Sequence, residues 1–259
     1  MSSTLNVHLV QMDPEWEDRA ANHAKARRLI EEAAPQPGAL IVLPEMFSTG
    51  FSVNLSATAE PLGGPTEQFL REVAATHQCC VIGGLVTALA DDRGSNQALV
   101  IAPDGNELAR YDKNHPFSMG GEDQVHAGGT GVSVFEWSGL SIAPLVCYDL
   151  RFPELARDAV RAGAEVLVYI AAWPSRRTQH WITLLQARAI ENLAYVVGVN
   201  YCGSDPNFSY LGRSIVVDPH GVVIADAAAH EHVTTAPVEA SIVRDWRSQF
   251  PALKDAGLV

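Results

Sequence analysis

The chain has 259 residues, 47% of them apolar and 19% charged, a balance that fills a buried core and excludes a disordered chain. Thirty Asp and Glu against 18 Lys and Arg give a formal net charge of −12, and no basic cluster is longer than Arg176-Arg177, so nucleic acid and other polyanions are excluded as expected partners. No stretch reaches the ~18 to 20 apolar residues of a bilayer span, and the opening MSSTLNVHLVQMDPEW has no basic-then-apolar leader pattern, so a soluble cytoplasmic protein without a membrane partner is expected. Cys79, Cys80, Cys147 and Cys202 have neither CxxC nor zinc-ligand spacing, which suits reduced thiols.

In chain order, Leu5–Gln11 alternates like a strand. Asp13 offers an N-cap with Pro14 at the first helical position, and Trp16, Ala20, Ala24 and Ile30 mark one helical face up to the stop at Pro35, Pro37 and Gly38. Ala39–Leu43 is a short apolar strand and Pro65–His77 a helix. Cys79–Val86 and Asn96–Pro103 are strands flanking a DDRG turn, followed by a strand over Glu107–Asp112. Leu140–Val146 is a strand, Pro153–Ala162 a helix capped by Gly163, Val166–Ala172 a strand buried on both faces, and Ser175–Asn192 a helix. Tyr195–Tyr201, Gly212–Asp218 and Val222–Asp226 close the set. No repeat, low-complexity tract or linker interrupts residues 1–259, so a single α/β domain with sheets layered between helices is expected.

Three polar residues share one kind of position. Glu45 follows Leu43-Pro44 just past a strand, Lys113 follows Tyr111-Asp112 just past another, and Cys147 follows Ala143–Val146 just before the helix that Pro153 begins. Loops at the carboxyl ends of strands are where α/β sheets assemble sites, and a nearby helix N-terminus favours a thiolate. Each residue alone has an ordinary reading: a strand-end cysteine is commonly a buried small hydrophobe, and a loop Lys or Glu is commonly solvated.

The local sequences carry more. LPEMFSTGF around Glu45, YDKNHPF around Lys113 and PLVCYDLRFPE around Cys147 resemble the nitrilase superfamily in order and spacing. A second glutamate, Glu122, lies in the loop after the lysine. The resemblance continues through AAWP at 171–174, HW at 180–181 and ARAIENLAYVVGVN at 187–200, and within the superfamily it is strongest to the ω-amidases.

That resemblance implies a four-layer αββα sandwich, paired into a homodimer, and an amidase that needs no cofactor and no metal. Its substrate would be a small dicarboxylic acid monoamide of the 2-oxoglutaramate or succinamate type. Glu45 would be the base, Cys147 the nucleophile that forms a thioester, and Lys113 with the backbone N–H of Tyr148 the oxyanion donors. Glu122 would orient Lys113. Arg177 would hold the distal carboxylate, with Phe47, Phe117 and Trp173 walling the carbon chain. Rivals are a nitrilase or carbamoylase on the same fold, or a catalytically silent binding protein. Asn114 and Pro116 in KNHPF, and the segment at 203–214, depart from the ω-amidase pattern and bear on substrate fit.

Other signals have ordinary explanations. His230-Glu231-His232 lacks a third metal ligand and reads as an exposed turn. The glycine pairs form no phosphate loop. Cys79, Cys80 and Cys202 read as packing residues, and Arg151, Glu154, Arg188 and Glu191 as a charge network around the nucleophile loop.

Overall fold

The structure, a computed structural model, describes residues 4–258. Its first half holds strands β1 (Thr4–Gln11), β2 (Leu40–Val42), β3 (Ala59–Glu60), β4 (Cys80–Ala88), β5 (Gly94–Ile101) and β6 (Glu107–Asp112). Helices α1 (Arg19–Ala33), α2 (Leu55–Thr58) and α3 (Pro65–His77) alternate with them. The second half holds β7 (Phe135–Trp137), β8 (Leu140–Val146), β9 (Val166–Ala171) and β10 (Tyr195–Asn200), with α4 (Pro153–Arg161) and α5 (Thr178–Asn192) as crossovers. Then come β11 (Cys202–Ser204), β12 (Ser209–Leu211), β13 (Ile215–Val217), β14 (Val223–Asp226), β15 (His232–Glu239), α6 (Ala240–Gln249) and α7 (Ala252–Asp255).

Among the described residues the strands form two large sheets and a small hairpin. The first sheet runs β15-β1-β2-β4-β5-β6 with β3 beside β4, and the second runs β14-β13-β10-β9-β8-β7. Alternation along the strands sorts the apolar residues into layers. Leu5, Val7 and Leu9 of β1, Leu40 and Val42 of β2, and Ala98 and Val100 of β5 join one core with β8, β9 and β10 of the other sheet. The intervening Ile41, Val81, Leu99 and Ile101 pack with Leu29 and Ile30 of α1 and Leu70 and Val73 of α3. Helices α4 and α5 cover the second sheet, so every residue of β9 is buried, as expected of a parallel strand covered on both faces. The layers are helix, sheet, sheet, helix, as the motif resemblance implies.

Local chemistry explains where helices begin. Pro65 and Pro153 each occupy the first turn of α3 and α4, where a missing N–H costs nothing. The first helix corrects the sequence reading, because it starts at Arg19 and not at Pro14. Its N-cap is Asp18, whose carboxylate accepts from Ala21 N at 3.0 Å. Residues before it form a loop pinned by Asn22, which bonds Glu15 at both its side-chain atoms. The chain beyond β14 is also more ordered than expected. His232, read as part of a turn, opens strand β15, and its ring nitrogens meet His230 O at 2.9 Å and Thr234 Oγ1 at 2.8 Å. No helix among the described residues is long and apolar enough to cross a membrane.

Candidate active site

The parallel strands β2, β8, β9 and β10 end near one point, and β6 delivers a fifth chain segment there. Glu45 follows β2, Lys113 follows β6 and Cys147 follows β8, so base and cation candidates come from one sheet and the thiol from the other. All three are buried, at 0%, 1% and 7% exposure. Burying charge is costly unless it is paired, and here the pairing is dense. Lys113 Nζ donates to Glu45 Oε1 and to Glu122 Oε2, both at 2.7 Å. Asn96 of β5 bridges the two carboxylates through Nδ2, 2.8 Å from Glu45 Oε1 and 2.7 Å from Glu122 Oε1. Glu45 Oε2 accepts from Ala172 N at 2.8 Å, and Tyr201 OH bonds the Glu45 carbonyl at 2.6 Å. Glu122 further accepts from Phe117 N at 2.6 Å and meets His126 Nδ1 at 3.3 Å.

These contacts set the ionisation pattern. Burial pushes Lys113 down, but Glu122 and Glu45 outweigh it and hold its pKa above the ordinary lysine value. Burial pushes Glu122 up, yet Lys113, His126 and Asn96 bring it to about 2. Burial and the Glu45 carboxylate drive the Cys147 thiol well above the ordinary cysteine value, and Lys113 only partly opposes them. Burial and Glu45 thus oppose the thiolate that a nearby helix N-terminus would favour. Cys147 opens a short 3-10 turn, Cys147–Arg151, and sits at φ 46°, a strained position for a residue with a Cβ. Asp149 holds that turn: its carboxylate accepts from Val146 N, His115 N and Tyr111 OH and meets His115 Nδ1, at 2.8 to 3.3 Å. The nucleophile turn is thus tied directly to the strand end that carries Lys113.

A cleft with about 350 Å³ of empty volume opens on Cys147. Phe51, Phe117, Trp173, Pro174 and Phe208 give it apolar walls, and Tyr148, Arg151 and Arg177 supply polar ones. Of the residues expected at a substrate pocket, Phe117, Trp173 and Arg177 line this cleft. Phe47 does not. It is fully buried in the core against His23 and Phe69, and Phe51, four residues on, lines the cleft instead. Arg151 also leaves its expected charge network: Arg188 and Glu191 pair at 2.8 Å and Arg188 bonds Leu150 O, whereas Arg151 faces the cleft and Glu154 stays exposed. Asn114, one of the departures from pattern, anchors its loop through Nδ2 to Gly131 O at 2.9 Å.

Asn96, His126, Tyr201 and Asp149 escaped the sequence reading. Asp149 had a signal, two residues beyond the cysteine in PLVCYDLRFPE. Asn96 had none, because nothing local separates it from any other mid-strand polar residue.

The Glu45 turn rests on a glycine. An added Cβ on Gly84 of β4 would lie 2.5 Å from Glu45 Cα and 2.7 Å from Pro44 O, where Gly84 N already bonds that oxygen at 3.1 Å. Gly84→Ala should displace Glu45 by a fraction of an ångström to an ångström and reduce kcat by ~100-fold with the circular dichroism spectrum retained. Steady-state kinetics on the folded variant check this, and a wild-type kcat would show that the turn tolerates the shift.

Comparison with known proteins agrees with this architecture. The carbon–nitrogen hydrolase family profile matches residues 6–248. Omega-amidase YafV of Yersinia enterocolitica is 40% identical over 98% of this chain and 97% of its own. The 2-oxoglutaramate amidase of Bacillus subtilis is 31% identical over 96% of each. Among solved structures, XC1258 of Xanthomonas campestris, a CN-hydrolase superfamily protein described with an arsenic adduct in its active site, superposes with a TM-score of 0.91 at 37% identity over 97% of both chains. Saccharomyces cerevisiae Nit3, of the nitrilase superfamily, gives 0.85 at 27% identity over 96% of this chain and 95% of its own. The chain belongs to the carbon–nitrogen hydrolase family and is an amidase of the nitrilase superfamily.

Proposed function

We propose that the protein hydrolyses the terminal amide of a small dicarboxylic acid monoamide, of the 2-oxoglutaramate or succinamate type, through a thioester on Cys147. The observation that carries this reading is the cleft itself: the Cys147 thiol lines it with the ion-paired Glu45 and Lys113 buried beside that thiol, and arginines rather than acids stand on its walls. In a chain of net charge −12, a wall with Arg151 and Arg177 and no carboxylate suits an anionic substrate end.

The chemistry follows from the contacts. Glu45 takes the Cys147 proton as sulfur attacks the amide carbon, so no free thiolate has to persist in a buried site. Negative charge passes to the amide oxygen. Lys113 uses two of its three N–H bonds on Glu45 and Glu122, leaving one for that oxyanion, with the backbone N–H of Tyr148 as partner donor. Collapse returns the proton from Glu45 to the leaving ammonia. A water, deprotonated by Glu45, then cleaves the thioester to the acid and regenerates the thiol.

Arg177 is the first candidate to hold the distal carboxylate. Its guanidinium lies over the Phe117 ring at 5.2 Å, and Trp173 Nε1 fixes its carbonyl at 2.9 Å. Ammonia release should be faster from carboxylate-bearing amides than from neutral amides, nitriles or carbamoyl compounds of equal length. Arg177→Met should raise KM for the carboxylate-bearing amide by about 10- to 100-fold and leave the neutral amide nearly unchanged, in keeping with the loss of a charged hydrogen bond. Equal effects on both would remove Arg177 from this role.

A further inference from the structure

The cleft over Cys147 has a neighbour. A second hollow, with about 800 Å³ of empty volume, shares two walls with it, Phe51 and Phe208. Trp16, Val53 and Met119 add further apolar surface to the hollow. The two spaces differ in charge. The cleft is lined by Arg151 and Arg177 and no acid, whereas the hollow is lined by Glu17 and, among the described residues, no cation. Ser52 Oγ and Asn54 Nδ2 donate to the Glu17 carboxylate at 2.6 Å and 3.2 Å, which holds it at that wall.

The two members of the partition are held in different ways. Phe51 is buried, and the Lys113 ammonium lies 5.5 Å from its ring centroid, so a change there would disturb that ammonium. Phe208 is half-buried at the tip of the β11–β12 hairpin. Asp205 braces this tip: Oδ1 accepts from Asn207 N at 2.6 Å and from Phe208 N at 2.7 Å, and Oδ2 accepts from Tyr210 OH at 2.5 Å. The buried Tyr210 ring packs edge-on against Tyr201, whose OH bonds the Glu45 carbonyl. The Arg176 guanidinium lies 5.6 Å from the Phe208 ring centroid. Phe208 is therefore a set wall and not a swinging lid. It belongs to the segment at 203–214 that departs from the ω-amidase pattern.

A substrate whose acyl end carries a carboxylate has its place on the arginine side, and Glu17 repels that end from the hollow. What can extend toward the hollow is the other side of the scissile bond, a substituent on the amide nitrogen. We propose that Phe208 determines specificity for primary amides, by closing the cleft against a hollow that would take an apolar substituent on the amide nitrogen. This rests on the monoamide reading above and adds the leaving group to it, ammonia and not a substituted amine. With the partition trimmed, the same steps hold: the C–N bond breaks, the proton on Glu45 passes to the departing nitrogen, and an amine RNH2 leaves in place of ammonia.

The test compares glutaramate with N-butylglutaramate, which release the same glutarate, and with suberamate, which is extended on the acyl side. The released diacid is measured for wild type, Phe208→Ala and the double variant Phe208→Ala with Val53→Trp. Phe208→Ala should raise the ratio of kcat/KM for N-butylglutaramate over glutaramate by about tenfold or more, and that for suberamate over glutaramate by less than about threefold, as relief of a methylene-sized clash does. Val53→Trp refills the hollow and should return the first ratio toward wild type, which a general loosening of the site would not do. Phe208→Leu serves if the Ala variant melts early, and should shift the ratio in the same direction. An unchanged N-butyl ratio, an equal gain for suberamate, or a gain that survives Val53→Trp overturns the assignment. The monoamide reading fails separately, if wild type prefers pentanamide to glutaramate; the ratio of N-butylpentanamide to pentanamide then still reads the role of Phe208.

Discussion

Cys147→Ala is expected to lower amide hydrolysis by at least about a thousandfold while the protein stays folded, as removal of a covalent nucleophile does. The substitution removes one sulfur from a site that is 7% exposed, and Asp149 still holds the turn through four contacts that do not involve the thiol. The melting temperature should move by only a few degrees. Wild-type enzyme quenched during turnover should carry an acyl group on the Cys147 peptide by mass spectrometry. Cys79 is the instructive control, because its sulfur contacts Gln36 O at 3.3 Å and His77 O at 3.2 Å and lies in the core with α1 and α3. An adduct on Cys79, Cys80 or Cys202 would defeat the assignment.

The second large effect is at Lys113, where Lys113→Met should cost ~100-fold or more in kcat and also destabilise the protein. Among the described residues the Lys113 ammonium is the one group that pairs with both Glu45 and Glu122 as a cation, so its removal leaves two buried carboxylates bridged by Asn96. Breaking such a buried pair costs about 3 to 5 kcal/mol. The sign of the pH dependence separates this loss from a simple cavity. In wild type, Glu122 is held at about 2, so its contribution is present above the ordinary glutamate range and is lost only as pH falls toward 2. Without Lys113, the two carboxylates must share a proton, the folded state binds more protons than the unfolded one, and stability falls as pH rises. The gap in melting temperature between wild type and Lys113→Met should therefore narrow between pH 8 and pH 5. Glu45→Gln keeps the shape and an acceptor for Lys113, and should lose ~100-fold in kcat with a much smaller thermal penalty. Near-wild-type turnover in either variant would remove it from the mechanism.

What could be read from the sequence followed from how local the signal was. Pro65–His77, Glu107–Asp112 and Leu140–Val146 match their elements end to end, because proline starts, apolar alternation and turn residues bound them within a few positions. The helix over Arg19–Ala33 was misplaced because Asp13-Pro14 and Asp18 are both plausible starts, and a distant contact decides: Glu17 N bonds Thr49 O at 2.8 Å. Strand β15 was missed because Pro237 interrupts its pattern. Pro237 is tolerated since β15 lies at the sheet edge, with β1 on one side only, and the residue is exposed. At the site, the three strand-end residues were legible from motif and position. The choice between Phe47 and Phe51 was not. Met46 at φ 47° turns the chain, so that the first phenylalanine enters the core and the second reaches the cleft.

The division of the site between two sheets makes its alignment depend on interlayer packing. Glu45 and Lys113 ride on one sheet and Cys147 on the other, and the two meet through side chains such as Val100 and Ile142 that touch no substrate. A slide of one layer over the other by a single methyl-group width would part sulfur from carboxylate while leaving every strand pairing intact. Amide turnover is for that reason a gauge of how the two layers seat against each other, and residues at the centre of the sandwich act on catalysis through register alone.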